Sequence, residues 1–284
     1  MKRHTIQILS QFTCAAGIVV MLGTKTFATV YDSFENYTLG DINGQNAGSD
    51  WTSAWSANES VDVVSSSLSY SNGSVSVNGG TQAMQVGGSS DLIFSRTFAA
   101  SDTGDAVYFS MLFRHESGGP GNWLQMFISD DTAYNSSSGS FGDLDQSSNR
   151  LGLRAYGPGG AYSQSSASET YADDTTYFLV GRLSSNGSAG AGDELDLLEL
   201  WLNPDSQTLG SPIVSIERAM GINGSTADTF GARTYNMGAS DAFLIDELRI
   251  GSTVDAVVIP EPSSATLLLG AFAGAGAFAF CRRR

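Results

Sequence analysis

Short apolar or alternating runs recur along this chain, each closed by a cluster of Gly, Ser, Asn and Asp. The runs fall at 61–70, 83–86, 92–98, 106–113, 123–129, 150–156, 176–183, 194–202, 212–216 and 242–250. Between them lie Ser71-Asn72-Gly73-Ser74, Gly118-Gly119-Pro120-Gly121, Gly157-Pro158-Gly159-Gly160 and Ser184-Ser185-Asn186-Gly187. Such residues supply the positive φ angles and local hydrogen bonds that chain reversals need. No stretch between the two ends sustains a helical period. About ten to twelve strands at these spacings predict an all-β fold, one antiparallel β-sandwich of the jelly-roll kind.

The two ends stand apart from that pattern. Met1-Lys2-Arg3 leads to an apolar run at 13–22 and then to Thr26-Phe27-Ala28. A basic start, a short apolar core and small residues at −3 and −1 predict a secretory signal over 1–28, cleaved after Ala28. At the other end, Pro260-Glu261-Pro262 precedes an uncharged stretch of 18 residues, 263–280, and then Arg282-Arg283-Arg284. At roughly 1.5 Å per residue that stretch just spans a thin hydrocarbon core as one transmembrane helix. The terminal arginines would hold its end on the cytoplasmic side. Each proline disfavours helix in the residue before it, so the motif is expected to be extended just outside the membrane. These boundaries leave a sandwich over 29–251, a linker at 252–259 and a C-terminal signal at 260–284.

Pro-Glu-Pro, a short apolar helix and a terminal arginine cluster, in that order, resemble the PEP-CTERM sorting signal of Gram-negative bacteria. The resemblance implies an exosortase, a membrane-embedded cysteine protease, as a partner beyond the secretion machinery. Pro260, Glu261 and Pro262 would be the recognition motif, and Arg282, Arg283 and Arg284 the stop. It also implies transient anchoring in the inner membrane, then a place at the cell surface or in the extracellular biofilm matrix. Ile259 departs from the family, where valine is frequent.

Composition narrows what the exported body can do. The whole chain carries a net charge of −15, and removing the two ends leaves eight arginines, no lysine and twenty-eight acids. A body this acidic is excluded as a nucleic-acid binder that neutralises phosphates. Both cysteines, Cys14 and Cys281, lie in the ends, so no disulfide can staple the body. Its one histidine, His115, excludes any multi-histidine metal site and is expected at the surface.

The segments Tyr31-Asp32-Ser33-Phe34-Glu35-Asn36-Tyr37, Trp51-Thr52-Ser53-Ala54-Trp55 and Phe243-Leu244-Ile245-Asp246-Glu247-Leu248-Arg249-Ile250 frame the body. That framing is similar to concanavalin A-like, or laminin-G-like, jelly rolls. The resemblance implies that the two ends pair as neighbouring strands. It further implies a structural calcium ion joining first and last strands, with Glu35 and Asp246 in those places and Asp32 or Asp41 assisting. The alternative is that Asp246 and Glu247 are exposed and pair loosely with Arg249.

Two further constellations bear on function. Glu194-Leu195-Asp196-Leu197-Leu198-Glu199 resembles the active-site signature of family 16 glycoside hydrolases. There Glu194 would be the nucleophile, Asp196 the helper and Glu199 the acid/base, on a bulged strand. The polar continuation of that signature is missing after Glu199, and the plainer reading is an ordinary strand burying Leu195 and Leu197. The second constellation is aromatic. Jelly rolls stack tryptophans on sugar rings, and Trp51 and Trp55, in a Gly/Ser-rich segment, are expected to be exposed for that purpose. Trp123 and Trp201 are expected in the core. Together these features point to an exported, non-enzymatic surface or matrix protein, structural or adhesive, that binds exopolysaccharide. The alternative is a secreted hydrolase using Glu194, Asp196 and Glu199.

Overall fold

The computed structural model describes residues 30–57, 61–88, 92–99, 106–117, 123–132, 137–144, 149–187 and 194–258. The leader with Ala28, the motif Pro260-Glu261-Pro262, the stretch 263–280 and the arginines 282–284 lie outside the described residues. Among the described residues no helix is long and apolar enough to cross a membrane.

The alternating runs form two antiparallel sheets packed face to face. One sheet has nine strands. Its path runs Val214–Glu217, Leu197–Leu202, Tyr177–Ser184, Ala106–Ser117, Ala242–Gly251, Ala83–Gly87, Val61–Val64 and Gly40–Asp41. Val30–Asp32 pairs with Ala242–Gly251, setting Val30 opposite Ile250 and Asp32 opposite Leu248, so the two ends of the body are neighbours. The other sheet has seven strands: Tyr162–Ser166, Leu151–Tyr156, Ser138–Asp143, Trp123–Ser129, Thr229–Tyr235, Ile93–Thr97 and Ser56–Ala57. The run at 61–70, expected as one strand, is two: Val61–Val64 joins the nine-stranded sheet, and Ser69–Asn72 forms a hairpin with Val75–Asn78.

Side chains alternate across a strand, so one residue in two reaches the space between the sheets. Leu124, Met126 and Ile128 do so from one sheet, and Phe109, Met111 and Phe113 from the other. The nine-stranded sheet is buried on its second face too. Leu112, Phe178, Val180, Trp201 and Leu244 pack there against Leu68, Val75 and Val77 of the hairpin region and against Val257 and Val258. Burial on both faces explains why Phe178-Leu179-Val180 is continuously apolar rather than alternating. It also corrects the expected linker at 252–259. Up to Val258 that segment belongs to the fold: Val254–Val257 is a helical turn, and Val257 and Val258 are buried. Ser110 Oγ donates to the Val257 carbonyl at 2.7 Å, and Gln207 Nε2 donates to that of Val258 at 3.0 Å.

Two backbone features hold the register. Strand Ala242–Gly251 has a bulge between Asp246 and Arg249, where Glu247 takes a φ of 51°. The extra residue changes the phase of the alternation, so Ile245 before it and Leu248 and Ile250 after it all face the main core. The second is Gly181, which stands opposite Phe109 across a strand pair, and a Cβ there would strike the Phe109 ring. That ring stacks on Phe141 of the opposite sheet at a centroid distance of 3.7 Å. A Gly181→Ala substitution should therefore destabilise the fold by about 1–3 kcal/mol. Gly210→Ala, with nothing within 4 Å of the added carbon, should leave thermal unfolding unchanged.

Candidate functional site

The residues singled out from the sequence fall in three different places. Trp51 and Trp55 are not an exposed sugar platform. Trp55 is only 1% exposed, and Trp51 is half-buried against the main core. Both wrap a buried ion pair, Arg96 Nη1 to Asp32 Oδ2 at 2.8 Å, in which the two side chains are 1% and 0% exposed. Trp55 Nε1 lies 3.1 Å from the Tyr37 hydroxyl and 3.3 Å from Asp32 Oδ2, and donates to both. The Arg96 guanidinium carbon sits 4.7 Å from the Trp51 ring centroid and 5.6 Å from that of Trp55. Tryptophans in a Gly/Ser-rich segment are drawn inward here because a buried cation offers their ring faces a partner. His115 is also buried rather than at the surface. It is 3% exposed, stacked on Phe243, with Nδ1 at 2.8 Å from Asp173 Oδ1.

Glu194, Asp196 and Glu199 do not share one bulged strand. The strand begins at Leu197, Glu194 makes only an isolated bridge to Asn223, and Asp196 lies between. Glu194 accepts from the Gly221 amide at 2.7 Å, and Asp196 from the Asn186 amide at 2.7 Å. Glu199 is tied to Arg182, and with Tyr108, Trp201 and Gln207 it lines a cleft of about 310 Å³. Leu195, Leu198 and Leu200 take the core positions, while Leu197 is half-buried.

Glu35 and Asp246 meet at two adjacent glycines. A Cβ on Gly79 would overlap Asp246 Oδ2, and one on Gly80 would overlap the Glu35 carboxylate. Asp246 and Glu247 are buried, at 0% and 5% exposure, so the exposed alternative fails. Asp246 Oδ1 accepts from the Glu247 amide at 2.8 Å, and Oδ2 has no hydrogen-bond partner. Burial, then the negative charges of Glu247, Glu35 and Asp32, push the Asp246 carboxyl up to about 9, against the pull of the Glu247 amide. Glu35 is held below the usual range, against its desolvation, by the amides of Thr81 and Gln82 and the Thr81 hydroxyl. Glu247 is engaged elsewhere. It accepts from Tyr31, whose hydroxyl burial and this carboxylate push up to about 12, and from Arg249. Asp41 is exposed and turns to the Asn43 amide. No group of three or more His, Cys, Asp or Glu side chains suited to a metal occurs among the described residues. Two carboxylates are nevertheless hard-oxygen donors of the kind calcium takes. An orphaned buried oxygen and a surplus of negative charge fit that ion, which Glu35 and Asp246 would hold. Bound there, it would supply a positive charge beside the unpartnered Asp246 carboxyl.

The feature that the sequence reading missed is the outer face of the seven-stranded sheet. Leu124, Met126 and Ile128 face the core, so Trp123, Gln125, Phe127 and Ser129 lie on the other face of the sheet, where all four are nonetheless buried. On the paired strands Arg154 and Tyr156, Arg233 and Tyr235, and Tyr162 and Gln164 stand on the same face by register. Trp123 stacks on Tyr235 at 5.3 Å, and Tyr156 on Tyr162 at 5.3 Å. Arg233 lies 5.3 Å from the Trp123 centroid, and Arg154 lies 4.8 Å from that of Tyr162. Tyr162 is 54% exposed, Tyr235 40% and Ile93 38%, and all three are on this face. The only other exposed large hydrophobic side chain among the described residues is Leu39. Reading the run 150–156 with period two would have separated Leu151, Leu153 and Ala155 from Arg154 and Tyr156.

Comparison with known proteins bears on the C-terminus and on the architecture. Residues 258–284 match the PEP-CTERM protein-sorting motif. The motif implies processing by an exosortase and export to the cell surface. No curated protein matches the chain. Among solved structures, the Emp47p carbohydrate recognition domain aligns at 13% identity and a TM-score of 0.44, over 78% of this chain and 96% of that one. The VIP36 exoplasmic/lumenal domain, in its Ca2+/Man2-bound form, aligns at 12% and 0.44, over 75% and 87%. The binding domain of botulinum neurotoxin DC, in complex with SialylT, aligns at 15% and 0.42, over 68% of this chain. The chain spans about half of the first structures it matches, 50% and 44% of their lengths.

Added calcium should raise the melting temperature of protein treated with chelator. The increment should vanish in Asp246→Asn and shrink in Glu35→Gln. A melting temperature indifferent to calcium in the unsubstituted protein would remove the ion from this site.

Proposed function

We propose that the protein is an exported, exosortase-processed surface or matrix module that binds polysaccharide and is not an enzyme. Its body is read as a concanavalin A-like jelly roll. The observation that carries the binding reading is the clustering of Tyr162, Tyr235 and Ile93, three of the four exposed large hydrophobic side chains among the described residues, on one sheet face. Exposed apolar groups gathered on one face mark interaction surfaces, whereas scattered ones do not. Aromatic rings with amide and guanidinium groups between them suit a sugar, which has apolar faces and a hydroxyl rim. The non-enzymatic reading is supported by the separate engagements of Glu194, Asp196 and Glu199 with Gly221, Asn186 and Arg182.

Three measurements test this reading. On a panel of immobilised polysaccharides, binding should be lost in Tyr162→Ala and Tyr235→Ala, with thermal unfolding shifted little. Hydrolysis of a bound glycan that stops on Glu194→Gln would instead establish the hydrolase. The intact mass of protein recovered from its host's surface should start at Thr29 and end near Pro262. A mass that retains Arg284 would mean the C-terminal stretch is kept, and the processing reading would fail.

A further inference from the structure

Within the polysaccharide-binding reading, on which this inference rests, the outer face of the seven-stranded sheet also carries information about charge. The exported body has few cations, and half of its eight arginines are paired internally with carboxylates. Arg96, Arg114, Arg182 and Arg249 each pair with a carboxylate. Arg154 does not. Its Nε and Nη2 donate to Gln164 Oε1 at 3.0 and 2.6 Å, and its Nη1 donates to Gln125 Oε1 at 3.2 Å and the Tyr156 hydroxyl at 3.1 Å. All of these partners are neutral. They use four of the five N–H groups of a guanidinium, which leaves one N–H and the whole charge.

The setting of that charge argues that it is kept for a ligand. Arg154 is half-buried, with the rings of Tyr162, Trp123 and Tyr156 at 4.8, 5.6 and 6.0 Å from its guanidinium carbon. Taking a cation partly out of water without an anion has a desolvation cost, which neutral partners and ring faces offset only in part. In a chain with 29 acids and 14 bases, a carboxylate partner would be easy to place. Trp123 on the same face is 4% exposed, and its indole N–H has no hydrogen-bond partner. A buried donor left unmatched is costly and would be satisfied by an acceptor that arrives from outside.

We propose that this face recognises an acidic polysaccharide, its sugar rings laid on Tyr162 and Tyr235 and a uronate carboxylate bonded by Arg154. A sulfate ester offers the same negative oxygens, but the one remaining N–H suits a single carboxylate oxygen.

The test uses the full-length protein in detergent micelles and measures binding to polygalacturonate, its methyl ester and a sulfated glucan at constant ionic strength. The methyl ester keeps the backbone and removes the charge. Polygalacturonate should bind at least about tenfold more tightly than the ester, as expected for one hydrogen bond to a charged group. Arg154→Gln should remove that preference, read as the ratio of acid to ester affinity within the variant, so that any shared loss of packing cancels. Equal affinity for acid and ester in the unsubstituted protein would overturn the acidic class, yet leave polysaccharide binding standing. A sulfated glucan that binds more tightly than polygalacturonate would overturn the uronate assignment. Binding to none of the three or to any neutral glycan would overturn the underlying reading itself.

Discussion

The buried pair between Asp32 and Arg96 organises the N-terminal third of the fold. Asp32 lies on the short strand at the start of the nine-stranded sheet, and Arg96 lies in the seven-stranded sheet, so the pair is a polar tie across the sandwich. Two charges taken from water need every lone pair and proton matched. Here Asp32 also accepts from Tyr37, Trp55 and the Phe34 amide, and Arg96 also donates to the Ser53 carbonyl and Asn46. Burial still outweighs these partners, and the Asp32 carboxyl is pushed up to about 6. A pair with that balance is a poor source of net stability. Its role is to fix one arrangement, because any other path for residues 31–57 would leave a buried guanidinium or carboxylate alone.

How far the sequence reports this fold depends on the range of the interactions involved. Strands and turns are local, and runs such as 106–113, 123–129 and 176–183 were legible from alternation and the clusters that close them. Pairing of the two ends was legible from the matched framing segments. The bulge at Asp246–Arg249 was not, because a phase change in alternation depends on the partner strand. For the same reason Glu194, Asp196 and Glu199 looked like one strand until the pairing started that strand at Leu197. Trp55 was misread because its immediate neighbours are small and polar, while its partners Asp32 and Phe94 are distant in sequence. The aromatic face escaped notice because its members come from four strands that only the register brings side by side.

The two outer faces of the sandwich divide the work. On the nine-stranded sheet, Leu112, Phe178, Val180 and Leu244 are covered by the hairpin region and by the segment ending at Val258, which makes a second apolar core. On the seven-stranded sheet, the outward positions carry side chains with polar ends, among them Trp123, Gln125, Arg154, Tyr156 and Arg233. Such groups tolerate partial burial only when their polar ends find partners. Arg154 finds several at once, and it thereby knits three strands into one polar surface layer. That layer is held from within, so the exposed rings of Tyr162 and Tyr235 are presented from a rigid sheet and not from loops.

The position of the sorting motif follows from the same division. The match to the motif begins at residue 258, and Val258 is also the last residue whose burial is described. Removing everything beyond the motif would spare Val257, Val258 and the bonds from Ser110 and Gln207 that hold them. The described packing thus ends at Val258, upstream of Pro260. Val257 and Val258 lie on the covered face of the nine-stranded sheet, and the aromatic face is the outer face of the other sheet, on the opposite side of the sandwich. The described C-terminal packing and the aromatic face therefore occupy different surfaces.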